Sequence, residues 1–161
     1  MRSFWFAAAI GLALAACSPA QTATSAQQGP DAVVMAMYTA ASAKIARNQT
    51  NDEADVPMTE SLAQAFKAAQ DKADANQEPF LDGDLVVNCQ DCGQIGPVAV
   101  TVATPPADGK AVVQARFTVY GEANTVLWDM VQTPLGWRVD NVRTPDGYDL
   151  RKAAAEEINQ Q

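Results

Sequence analysis

Ala111-Val112-Val113-Gln114-Ala115-Arg116-Phe117-Thr118-Val119-Tyr120 is the stretch on which the fold turns. Ala111, Val113, Ala115, Phe117 and Val119 fall on one side of an extended chain, and Val112, Gln114, Arg116, Thr118 and Tyr120 on the other. Successive side chains of a strand point to opposite faces, so this alternation predicts a strand with one face in a core and the other toward water. A helix would scatter the same apolar residues around its circumference.

The pattern repeats on both sides. Upstream, Val98, Val100 and Val102 alternate with Ala99 and Thr101, and the composition of Thr104-Pro105-Pro106-Ala107-Asp108-Gly109 predicts a turn. Downstream, Gly121 to Asn124 predicts a second turn into Val126, Trp128 and Met130, and Thr133-Pro134-Leu135-Gly136 a third into Trp137-Arg138-Val139-Asp140. Four strands parted by turn signals make an antiparallel meander. Ahead of them, Pro30 and Asp31 open a helix with Val34, Tyr38, Ala41 and Ile45 at helical spacing, ended by Asn48 to Asn51. A second helix starts at Thr59 and places Leu62, Phe66 and Ala69 on one face, and Leu150 to Ile158 predicts a last short helix. The expectation is an α+β domain, with two N-terminal helices packed on a curved four-stranded antiparallel meander and a short C-terminal helix.

Eleven Lys and Arg against nineteen Asp and Glu leave the 161-residue chain at −8, with a pI near 4.3. A nucleic-acid partner needs a basic face to neutralise phosphates, so none is expected. There is no histidine, which excludes His-based triads, Cys-His dyads and His-ligated metals.

The first sixteen residues carry Arg2, no acid, and an apolar run from Phe4 to Ala16. A basic start, an apolar run of about a dozen residues and a small-residue exit describe a secretory signal peptide, and the run is short of the roughly 20 residues a spanning helix needs. Leu14-Ala15-Ala16-Cys17 resembles the lipobox of bacterial lipoproteins residue for residue. That resemblance implies acylation of Cys17 and cleavage before it, hence a membrane partner held through lipid. Ser18 stands where an inner-membrane retention signal would place Asp, which implies an outer-membrane anchor on the periplasmic face. Ser18 to Gly29 is uncharged and rich in Ser, Ala, Gln and Thr, a tether with a reach of roughly 20 Å. The expected organisation is a signal peptide over 1–16, the lipidated cysteine and tether over 17–29, and one globular domain over 30–161.

The order of helices and hairpins resembles the cone-shaped nuclear-transport-factor-2-like or cystatin-like folds. The run from Pro79 to Asp91, with Asp82, Asp84 and a closing Gln90-Asp91, together with Gly136-Trp137-Arg138-Val139-Asp140, resembles the bacterial domain-of-unknown-function family 3828. Members are often lipoproteins, and the resemblance implies a fold rather than a reaction. The two cysteines in the loop depart from that family's pattern.

Chemistry has few places to sit. Cys89-Gln90-Asp91-Cys92 spaces its thiols as a redox dithiol does, but Gly93, Gly96 and Pro97 follow, no helix N-terminus activates a thiol, and Asp91 opposes thiolate formation. With Cys17 committed to lipid, the expectation is a local disulfide pinning the loop, with oxidoreductase chemistry as the alternative. Zinc would want further Cys or His ligands. Asp82, Asp84, Asn88 and Asp91 offer oxygens to a hard cation such as calcium, without the calcium loop's turn glycine or terminal Glu; the competing reading has them capping backbone amides. No cofactor or resident metal is expected. Phe117, Trp128 and Trp137, with Tyr120, are candidates to line a hollow between sheet and helices, or else to fill it as core. Asp129 and Asp140 alternate onto the face opposite Trp128 and Val139, toward solvent, where Arg116, Asp129 and Arg138 are expected to form a polar ladder. The leading expectation is a lipid-anchored periplasmic binding or interaction domain without catalysis, its partner an envelope protein or a small ligand. The alternatives are an inhibitor or immunity protein acting on a periplasmic enzyme through its acidic surface, and a small-molecule enzyme using the cone cavity.

Overall fold

In the computed structural model, which describes residues 28–49, 55–90 and 92–160, the deciding stretch is β2, Lys110–Val119. Its five predicted inward residues are all buried. It lies second in an antiparallel sheet of order β1-β2-β3-β4, with β1 Ala99–Ala107, β3 Glu122–Thr133 and β4 Gly136–Arg143. The helices are α1 Pro30–Ile45, α2 Glu60–Ala75 and α3 Leu150–Asn159. This is the expected α+β order. The segments read as signal peptide, Cys17 and most of the tether lie outside the described residues.

The helices begin where local chemistry says they should. Pro30 opens α1, where its missing N–H would be unpaired in any case. Thr59 Oγ1 accepts from Leu62 N at 3.2 Å ahead of α2, and Asp149 accepts from Lys152 N at 3.0 Å ahead of α3; both satisfy amides that a helix start leaves open. Val34, Tyr38, Leu62, Phe66 and Leu150 then meet the inner face of the sheet in one core around Trp128, which is fully buried.

The turns are tighter than composition suggested. Ala107 pairs with Lys110 and Val119 with Glu122, so the first two hairpins close through Asp108-Gly109 and Tyr120-Gly121, all at positive φ. Two-residue loops with both residues left-handed match the twist of the strands they join. Thr104 to Ala107 therefore continue β1, and Pro105 and Pro106 are accommodated because β1 is an edge strand with an irregular register there. Tyr120 becomes a turn residue, 71% exposed, away from any hollow.

The outer face also differs from expectation. Asp129 opposes Asn141 while Met130 opposes Val139, so Asp140 is the extra residue of a β-bulge. The bulge leaves Asp140 half-buried rather than free on the outer face, with its carboxylate accepting from Thr59 Oγ1 at 2.8 Å and Arg151 Nη2 at 2.7 Å. The ladder of Arg116, Asp129 and Arg138 does not form, because Arg116 lies opposite Thr125 and Arg138 opposite Val131. Asp129 is instead gripped by both ends of the Arg143 guanidinium, at 2.8 and 2.5 Å.

Candidate functional site

Between α2 and β1 the chain folds as a plug over one end of the sheet. Asp84 organises it: its Oδ1 accepts from Val86 N at 2.7 Å and Val87 N at 3.0 Å, and its backbone N–H donates to the Cys89 carbonyl at 2.9 Å. These bonds drive Val86 and Val87 fully into the core. Gly83 is required by close approach, since a Cβ there would lie 2.9 Å from the Cys89 carbonyl. Cys89 and Cys92 are joined by a disulfide with Cα atoms 5.6 Å apart. Phe80 meets Phe66 edge-on at 5.4 Å. Each device holds the loop against the domain.

The plug leaves a cleft of about 260 Å³ between itself and the far ends of β3 and β4. Phe80, Leu85, Val126 and Val142 make its apolar walls, and Asp82, Asp84, Thr144 and Tyr148 its polar rim. The Tyr148 hydroxyl is buried and has no hydrogen-bond partner among the described residues. Burial, and secondarily the Asp149 charge, push its pKa up to about 12, so at neutral pH it stays protonated and able to donate. A buried hydroxyl left unpaired is unfavourable by about 1–3 kcal/mol, and a ligand with an acceptor or donor at its tip would relieve that.

Most residues singled out from the sequence sit elsewhere. Phe117, Trp128 and Trp137 are buried and follow the core reading, filling the space between sheet and helices together with Tyr38, 5.1 Å from Phe117 and 6.1 Å from Trp128. Burial raises the Tyr38 pKa far above the phenol range; the Asp84 charge adds to this, while the Trp128 indole opposes it. Asp84 plays the capping role, Asp82 lies exposed on the cleft rim, and Asp91 falls outside the described residues. Among the described residues no three acidic or sulfur groups converge as a metal site would need. Tyr148 and Thr144 were missed. The sequence cue for Tyr148 was slight: one aromatic with a polar tip directly after the turn-forming Pro145-Asp146-Gly147.

No family model and no curated protein matches the chain. Among solved structures, a phospholipid-binding protein from Ralstonia solanacearum in complex with a phospholipid is similar at 14% identity and a TM-score of 0.39, over 77% of this chain and 69% of that one.

Proposed function

We propose that this chain is a non-catalytic, lipid-anchored protein of the outer membrane's periplasmic face, held through acylated Cys17, whose folded domain binds a small amphipathic ligand in the cleft beneath the acidic loop. The observation that carries the binding reading is the unpartnered Tyr148 hydroxyl beside a 260 Å³ cleft with apolar walls. A concave apolar space with a few convergent polar groups is the usual form of a small-molecule site. The ligand chemistry that fits is an apolar body with a neutral or cationic hydrogen-bonding head, because Asp82 and Asp84 on the rim repel an anion. Asp84 supports binding over catalysis, since one of its carboxylate oxygens is already engaged by two backbone amides. The anchor rests on Leu14-Ala15-Ala16-Cys17.

Leu85→Trp tests the site by filling the cleft. Parent and variant, both purified natively from membranes, are extracted with organic solvent and the released small molecules compared by mass spectrometry. A species released by the parent and depleted at least tenfold in the variant supports the proposal, provided both melt cooperatively. Identical extracts, or no released species, would overturn it.

A further inference from the structure

The outer side of β1 pairs with no described strand. Soluble proteins normally block such an edge with charges, prolines or inward-turned polar groups, because its open N–H and C=O groups are a template for another strand. From Val98 to Thr104 this edge carries no charge and no proline. Pro97 and Pro105 bracket the run, each four residues from Thr101. Within the bracket, Ala99-Val100-Thr101-Val102-Ala103 reads the same in both directions, and Val98 and Thr104, equal in shape, continue the symmetry.

The register with β2 fixes the faces. Val100 opposes Ala115 and Val102 opposes Val113, so both valines point to the core side. Thr101 opposes Gln114 on the outer face. Yet Val102 is 37% exposed: an inward apolar side chain lacks cover at the edge. The first ladder irregularity falls between Val102 and Thr104, leaving Val100 to Val102 regular.

We propose that a second copy of this chain covers this edge, the two β1 strands pairing antiparallel about a twofold axis at Thr101 to join the sheets into one of eight strands. Thr101 then faces the partner's Thr101, Val100 faces the partner's Val102, and Ala99 faces the partner's Ala103. A twofold contact must be self-complementary, and a palindromic strand meets itself like for like. Charge selects the same place: in a chain of −8, an uncharged seam lets two copies approach without opposing like charges. The partner's Val100 would cover Val102, a β-branched cross-strand pair of the kind that stabilises sheets. The flanking prolines, which cannot donate to a ladder, confine the seam to the symmetric window.

Thr101→Cys, Ala99→Cys and Ala103→Cys are made singly in the full chain, purified, mildly oxidised and resolved on non-reducing gels, with the parent, which carries only the native cysteines, setting the background. All three positions are exposed, so the fold tolerates each change. Directly opposed residues lie about 4.5–5.5 Å apart, within disulfide reach, whereas Ala99 and the partner's Ala99 would be about 13 Å apart along the strands. The expected result is several-fold more linked dimer for Thr101→Cys than for either neighbour. Equal linking at all three positions, or none at any, would overturn the proposal. So would linkage of Thr101→Cys only to a different polypeptide, which would give the edge to a foreign strand.

Discussion

The two edges of this sheet are finished in opposite ways. At β4 the chain covers itself: Val139 N–H donates to the Pro57 carbonyl at 2.9 Å, and Thr59 N–H donates to the Val139 carbonyl at 2.8 Å. Around that seam Asp140 holds Thr59 and Arg151. Asn141, only 9% exposed, accepts from Val142 N and Arg151 N, each at 3.0 Å. β1 carries no such cover among the described residues; from Ala99 to Thr104, ahead of Pro105 and Pro106, its finish is an uncharged run of Ala, Val and Thr. The difference teaches where stability and association reside. Polar side chains placed by a bulge lock β4 to two helices, while β1 keeps its hydrogen-bonding groups open.

The largest effect is expected at the sealed edge. Asn141→Ala removes one oxygen that satisfies two amides, in β4 and at the start of α3. Burying amides without partners is unfavourable by about 1–3 kcal/mol for each group, so with two amides affected chemical unfolding should show a loss of at least about 2 kcal/mol. A loss within about 0.5 kcal/mol, the range of ordinary surface changes, would remove the distinction between the edges.

A smaller effect belongs to Asp149, which caps α3. Burial pulls its pKa upward, but hydrogen bonds from the Lys152 backbone and the Asn141 side chain, with the Arg143 charge, outweigh this and hold it below the usual carboxylate value. A depressed folded pKa stabilises the fold above the unfolded value, about 3.9, and that stability is lost as pH falls through the folded value. Asp149→Ala should lose about 1 kcal/mol at neutral pH, as capping residues do. Its stability should also fall less steeply than the parent's below about pH 4, measured by thermal melts across pH.

The contrast between edges also marks what the sequence could disclose. The inward face of β2 and the starts at Pro30 and Thr59 were legible because each depends on neighbours a few residues away. Asp84 was legible as a cap for the same reason. The β4 seal was not: Thr59 and Asp140 lie 81 positions apart, and the bulge that joins them leaves no periodic trace. The cleft fared similarly. Its acidic rim stood out in the loop, whereas Tyr148 gains meaning only when the end of β4 brings it beside Leu85 and Val126. Tyr38 was visible as a helix-face residue, but not as the ring that fills the space between Phe117 and Trp128.

The smallest effect is expected at β1, where it is the most informative. Val102→Lys places a charge at an inward position that is already 37% exposed, and a lysine stem can lie along apolar surface while its ammonium reaches water. In the isolated chain the change should stay within about 0.5 kcal/mol. Self-pairing adds a term that grows with concentration, because association with the folded form alone raises its apparent stability. The parent's melting temperature should therefore climb with protein concentration while that of Val102→Lys stays flat, the two coinciding at high dilution. Sedimentation should show dimer in the parent and monomer in the variant over the same range. If parent and variant melt and sediment alike at every concentration, the edge is not a seam between copies. If Val102→Lys is destabilised even at high dilution, Val102 belongs to the core of a single chain and the two edges are more alike than their hydrogen bonds suggest.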